Sequence, residues 1–169
     1  MTDFIRELSR DKLRFWRLDR APHAPTWDNG EGAFRVGGRW NNTGTRCVYC
    51  SLESSTAILE VAVHVGFPAL NSQPYVLTRA KIKDPSELFI CHPSDIPNPN
   101  WLRPGATSRG QKAFGDDLLS KYKFIALPSV VSPEGWNLIF TPSKVTGAYV
   151  VEEQVTLALD PRLDPVTAP

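Results

Sequence analysis

The residues of this chain best equipped for chemistry lie close together in sequence. Gly37-Gly38-Arg39-Trp40-Asn41-Asn42-Thr43-Gly44 is followed by Tyr49 on a short apolar segment and by Glu60 inside an amphipathic run. A guanidinium, a phenol and a carboxylate on three consecutive elements suit a cleft for a phosphate-bearing substrate whose reaction develops positive charge. The glycines before Arg39 allow a ligand close to the backbone, and Trp40 with the asparagine pair adds stacking and amide hydrogen bonding. Glu60 is the sharpest candidate, because a carboxylate amid apolar helix positions is costly unless paired or functional. The residues alone leave the plainer readings open. Arg39 would serve in a surface ion pair, Tyr49 in a core, Glu60 in solvent, and Ser129, after Pro128, as a turn hydroxyl.

The elements that must position these groups follow from periodicity. Phe15 to Leu18 reads as a first strand, and Pro22 to Gly32 as an irregular loop. Ala33 to Trp40 and Thr45 to Ser51 read as a hairpin turned by Asn41-Asn42-Thr43-Gly44. Ala57, Ile58, Val61, Ala62 and Val65 recur with helical period after a serine cap at Ser54 or Ser55, and Gly66 and Pro68 stop that helix. Tyr75 to Ile82 and Leu88 to Cys91 read as strands, and Pro93 to Pro104 as a long loop. A second helix follows over Arg109 to Tyr122, then strands at Phe124 to Leu127, Asn137 to Phe140 and Ala148 to Leu159. Strands and helices mixed without βαβ regularity predict an α+β fold. Its β core is mixed and mostly antiparallel, with helices flanking it.

Composition narrows the classes. A chain of 169 residues forms one domain that buries roughly 70% of its unfolded surface, so neither disulfides nor metals are needed to hold it. Its core is expected over about residues 13–163, between a short polar N-terminal segment and a proline-rich tail. Lys plus Arg is 19 against 18 for Asp plus Glu, without the basic stripe of a duplex-binding protein, so direct nucleic-acid binding is not expected. No segment has signal-peptide or membrane-spanning character, which predicts a cytoplasmic protein without a membrane partner. Cys47 and Cys50 form a C-x-x-C spacing, but on a strand they point to opposite faces and no second ligand pair exists, so no metal site is expected. Gly30-Glu31-Gly32 lacks the strand, turn and helix of a dinucleotide fingerprint. Ser129 lies outside any G-x-S-x-G elbow.

Taken in order, several segments resemble the RES-domain family, the toxin half of bacterial toxin-antitoxin pairs. They are Phe15-Trp16-Arg17-Leu18, Arg35-Val36-Gly37-Gly38-Arg39-Trp40-Asn41 with Gly44, Val48-Tyr49, and Ala57-Ile58-Leu59-Glu60-Val61 with His64. Leu127-Pro128-Ser129-Val130-Val131, Asn137-Leu138-Ile139-Phe140 and Asp160-Pro161-Arg162-Leu163 continue the match. One departure stands out: the family pattern Asn-Pro-x-His is replaced by Thr141-Pro142-Ser143-Lys144.

The resemblance implies a fold similar to ADP-ribosyltransferases and cleavage of the nicotinamide–ribose bond of NAD+, by phosphorolysis or hydrolysis. NAD+ is then substrate rather than cofactor, with inorganic phosphate as co-substrate on the phosphorolytic route. It implies Arg39, Tyr49, Glu60 and Ser129 as catalytic residues, with Arg17, Trp40 and Asn137 lining the substrate site. Arg39 would hold a phosphate, Glu60 the developing charge on the ribose, Tyr49 the nicotinamide or its ribose, and Ser129 a ribose or carboxamide group. The partner implied is a cognate antitoxin with a helix-turn-helix domain that blocks the cleft, in an assembly larger than a monomer. Two rival expectations stand beside this one: transfer of ADP-ribose to a macromolecular acceptor, and a catalytically silent module that binds a partner.

Overall fold

A computed structural model of the protein describes residues 13–103, 105 and 107–163. The expected polar N-terminal segment, and the tail beyond residue 163, lie outside the described residues. Among the described residues there are seven strands: β1 (Arg14–Arg20), β2 (Val48–Ser51), β3 (Tyr75–Ile82), β4 (Leu88–Ile90), β5 (Phe124–Pro128), β6 (Trp136–Phe140) and β7 (Tyr149–Thr156). They form one sheet in the order β4-β5-β6-β2-β1-β3-β7. The β4–β5 pair is parallel and every other pair antiparallel. This is the α+β architecture expected from the sequence.

Alternation along the strands divides the side chains between two faces. On one face Phe15, Val48, Cys50, Phe124, Ala126, Leu138 and Phe140 pack with Ala80, Ile82 and Trp27 into the main core. Several of their rings meet edge to face, as Phe15 does with Phe140 and Tyr149, an arrangement aromatic quadrupoles favour. On the other face Ile125, Leu127 and Ile139 join Trp40, Cys47, Cys91, Leu118 and Leu119 in a second cluster. A third cluster groups Leu18 with Ala62, Leu70 and Tyr75.

Among the described residues four α-helices accompany the sheet: α1 (Glu31–Val36), α2 (Ser54–Val65), α3 (Phe67–Ser72) and α4 (Arg109–Lys121). Ala62 of α2 packs with Leu18, while Leu118 and Leu119 of α4 pack with Ile125, Leu127 and Ile139. Trp16 is the cross-strand neighbour of Ser51 and shares Leu18's side of β1. Alternation therefore puts α2 and α4 on the same face of the sheet, over different strands. Between them lies a strip of β2 and β6 whose side chains include polar ones.

The structure corrects the hairpin expected from Ala33 to Trp40. That stretch opens with α1 instead, and residues 37–45 are irregular before β2. Gly30 and Gly37, at φ 65° and 73°, bracket the helix with backbone conformations that glycine adopts without strain. The Asn29 side chain accepts the Glu31 N–H at 2.9 Å, and Glu31 pairs with both Arg35 and Arg46. The expected loop from Pro22 to Gly32 contains a 3-10 helix over Ala21–Thr26. Gly66, at φ 80°, does end α2, but Phe67 and Pro68 then start α3, proline being well suited to a first helical turn. Among the described residues no helix is long and apolar enough to cross a membrane.

Candidate active site

Helix α2 and its N-cap residue present Glu53, Thr56 and Glu60, spaced three and four apart and so on one face, to the start of β6 and the segment that joins β5 to it. The Glu53 carboxylate accepts the Thr56 hydroxyl at 3.0 Å and the Trp136 N–H at 3.3 Å. Thr56 also meets the Ser132 hydroxyl at 3.2 Å. One turn further on, Glu60 Oε1 accepts the Ser129 hydroxyl at 2.9 Å and the Asn137 amide at 2.5 Å. Ser129 Oγ in turn accepts the N–H groups of Val131 and Ser132 at 3.2 and 3.0 Å. The other end of the Asn137 amide accepts the Ser51 hydroxyl at 3.0 Å.

This cluster has a definite electrostatic character. Ser51, Ser129 and Asn137 are buried, and Glu60 is half-buried. Both donors converge on Oε1, and among the described residues Glu60 Oε2 has no hydrogen-bond partner and no cation within ion-pair distance. The carboxylate is held by neutral donors, with its second oxygen left for something else. The structure thus gathers Glu60, Ser129 and Asn137 from a helix, a loop and a strand. It also revises the expectation for Ser129: its single proton goes to Glu60 and its lone pairs take two backbone N–H groups, so it supports the carboxylate and has no donor left for a ribose.

A second cluster forms around Asn41, which is fully buried. Its Nδ2 lies 3.0 Å from each of the carbonyls of Ala33, Asn42 and Thr45. Its Oδ1 accepts the Tyr49 hydroxyl at 2.7 Å, and that hydroxyl accepts the Trp40 N–H at 2.9 Å. One asparagine therefore folds the loop between α1 and β2 and ties it to the strand. Gly38 is required here, since a Cβ would come within 2.5 Å of Tyr49 Oη and 2.8 Å of Asn41 Oδ1. Burial pushes the Tyr49 phenol well above its usual range, against the opposing effect of the Trp40 N–H. Tyr49 therefore does not exchange protons near neutrality, and what it offers a ligand is its partly exposed ring.

Arg39 leaves this loop toward the segment before α4, where Nη1 donates to the carbonyls of Trp101 and Arg103 at 3.1 and 3.4 Å. Among the described residues it has no carboxylate partner. No hydrogen bond among the described residues links it to the Glu60 cluster. The strand between them supplies the spacing: Tyr49 and Ser51 share a face of β2 and lie about 7 Å apart along it. Tyr49 belongs to the Arg39 loop, and Ser51 to the Glu60 network.

Two expected site residues are placed elsewhere. Trp40 is 1% exposed and packs in the second core cluster; its backbone carbonyl abuts Gly115 of α4, and the Asn42 backbone N–H and side-chain amide bond Asp116. The indole has no free face on which a substrate could stack. Arg17 shares Phe15's side of β1, opposite to Ser51. It pairs with Asp19 at 2.8 Å and donates to the Tyr49 carbonyl at 2.6 Å. Burial raises the Asp19 carboxyl, with the Arg17 guanidinium opposing it. These contacts brace β1 against β2, which share only the register pair Trp16–Ser51.

Neither of two surface depressions, of about 480 and 400 Å³, is lined by a candidate residue. The larger includes Pro142 and Ser143 of the segment that departs from the family pattern. That segment follows Phe140, at the end of β6 opposite to Asn137. Cys47 and Cys50 lie in separate core clusters on opposite faces.

Comparison with known proteins matches this chain to the RES domain over residues 14–160. The chain is similar to a "Prs ADP-ribosylating toxin" of Sphingobium sp. (strain YBL2), 29% identical over 88% of this chain and 95% of that protein. A "Toxin Res" of Photorhabdus laumondii is 31% identical over 75% of this chain and 80% of its own length. The fold is similar to that in the crystal structure of the M. tuberculosis MbcT-MbcA toxin-antitoxin complex, with a TM-score of 0.69, 19% identity, and coverage of 87% of this chain and 85% of that one. With the match spanning almost all described residues, including both polar clusters, the chain belongs to the RES-domain family.

Proposed function

We propose that this chain is the toxin of a toxin-antitoxin pair and acts in the cytoplasm by cleaving the nicotinamide–ribose bond of NAD+. The observation that carries the proposal is Glu60: a half-buried carboxylate with two neutral donors on one oxygen and, among the described residues, no partner on the other. The C1′–N bond breaks with its electron pair moving to the pyridinium nitrogen, so nicotinamide leaves neutral and needs no strong acid. The positive charge left on the ribose is stabilised by the free oxygen of Glu60, an effect worth a few kcal/mol for a well-placed group. An oxygen of water or phosphate then bonds to C1′; with water, a proton passes to solvent.

The remaining residues take supporting roles. Arg39 uses Nη1 on two carbonyls, and its other donors remain for a substrate phosphate in the planar geometry lysine lacks. The ring of Tyr49 borders the nicotinamide end of the site. Ser129 and Asn137 hold Glu60. The altered Thr141–Lys144 segment follows the far end of β6, which weighs against reading it as loss of this site. The relatives named as toxins, and the neighbour seen in complex with an antitoxin, support a cognate antitoxin that covers the site. We assign that antitoxin a helix-turn-helix domain.

Purified protein incubated with NAD+ should release nicotinamide. E60Q should lower kcat about 10²-fold or more, the scale seen when one electrostatic stabiliser is removed, while R39A should chiefly raise KM for NAD+. A product that changes identity when phosphate is added identifies phosphorolysis. Equal NAD+ loss by wild type and both variants would reject the assignment. The name of the Sphingobium relative favours a second reading, transfer to a macromolecule, and label from NAD+ appearing on a lysate protein or RNA would select it.

A further inference from the structure

We propose that Ser51 is a positioning residue that acts on Glu60 through Asn137; the catalytic part of this inference rests on the function proposed above. Ser51 and Asn137 are direct cross-strand partners of β2 and β6, so their side chains stand on one face within hydrogen-bond reach. Asn137 has one accepting and one donating end. An ionised carboxylate only accepts, so Nδ2 must face Glu60, as it does at 2.5 Å. The accepting end must then meet a donor, and the Ser51 hydroxyl provides it at 3.0 Å. Were the amide turned over, Oδ1 would confront the carboxylate and the Ser51 proton would lose its acceptor.

Ser51 is 2% exposed and Asn137 9%, so water competes poorly for the amide at either end. The hydroxyl thereby selects one of the two amide orientations, and that orientation delivers a donor to Glu60 Oε1. With Ser129 on the same oxygen, the carboxylate is fixed through Oε1, which leaves Oε2 for the substrate. Ser51 touches neither the substrate nor the carboxylate.

The test is a double-mutant cycle, with each variant first checked for cooperative thermal unfolding. S51A should lower kcat for nicotinamide release about tenfold, the scale of one oriented hydrogen bond, with KM for NAD+ unchanged. S51T, which keeps a hydroxyl on the same carbon, should recover most of the loss. N137A should lower kcat further, and S51A added to N137A should change nothing more, because the serine acts only through the amide. A purely structural serine would leave kcat intact, or its effect would add in full to that of N137A, and either result overturns the proposal. Nuclear magnetic resonance gives a readout independent of activity: the Asn137 side-chain amide protons should exchange slowly with solvent in wild type and S51T, and should exchange faster and at displaced resonance positions in S51A. If wild-type protein releases no nicotinamide, the proposed function fails while the amide resonances still decide the Ser51 relay. Unchanged amide resonances in S51A would sink it.

Discussion

At the scale of single residues, the two polar clusters differ in what they leave unsatisfied. The Asn41 side chain and the Tyr49 hydroxyl are fully used: three carbonyls on Nδ2, a phenol on Oδ1, and a backbone N–H on that phenol. Around Glu60 one carboxylate oxygen is left over. The first pattern is what a folded loop needs, and the second is what a binding site needs. Tyr49→Phe separates the two, because it removes the hydroxyl without touching Glu60. It strips the Trp40 N–H and Asn41 Oδ1 of their partners, and leaving buried polar groups unpaired costs about 1–3 kcal/mol each. Thermal unfolding should register that loss, and KM for NAD+ should rise as Arg39 loses its fixed origin, while kcat falls less than in E60Q. A variant with wild-type stability and KM would show that the hydroxyl does not organise the loop.

At the scale of elements, Gly115 of α4 makes a sharp test, since two general effects oppose each other there. Alanine is favoured over glycine inside a helix by about 1 kcal/mol. Here, however, its Cβ would stand 1.9 Å from the Trp40 carbonyl oxygen and 2.6 Å from the carbonyl carbon. Those are backbone atoms, fixed by Tyr49 on one side and by Asp116 through Asn42 on the other, so little can yield. Forcing an added carbon into close packing typically costs about 1–3 kcal/mol, occasionally more. G115A should therefore lower the unfolding temperature despite its better helix propensity, and a rise in calorimetry would contradict the packing described. This contact also shows what the sequence could and could not reveal. Helix α2 was legible from its period, and Glu60 from being the wrong residue type for an apolar run. The pattern from Ala33 to Trp40 predicts a strand, and the chain departs from it because the outcome depends on groups beyond that pattern: Arg46 paired with Glu31, and Asn41 bonded back to Ala33. Ser51 carried no signal of its own, for its role exists only once β2 and β6 are in register.

At the scale of the whole molecule, one sheet with β1 and β2 at its centre separates two apolar layers, and the proposed site lies on the face of the sheet that carries α2 and α4. Nothing local announces that arrangement. It requires β6, almost ninety residues later in the chain, to pair with β2, while β2 joins β1 by a single register pair. The burial it produces can be read through the three thiols. Cys50 belongs to the main core, Cys47 and Cys91 to the second cluster, and all three are free and buried. Burial raises Cys91 to about 11 and pushes Cys47 and Cys50 higher still. The thiolate is the reactive form, so near neutrality the folded protein presents almost none, and modification must wait for an opening that exposes both layers. Three thiols should react with a disulfide reagent at once in denaturant and only slowly in native buffer. That slow rate should be unchanged in E60Q, whose substitution preserves shape, and faster in G115A, whose substitution strains the α4 contact. Rapid native labelling of Cys47 or Cys91 alone would mean that the layer under α4 opens independently of the main core. Arg39 would then rest on a mobile platform instead of a fixed one.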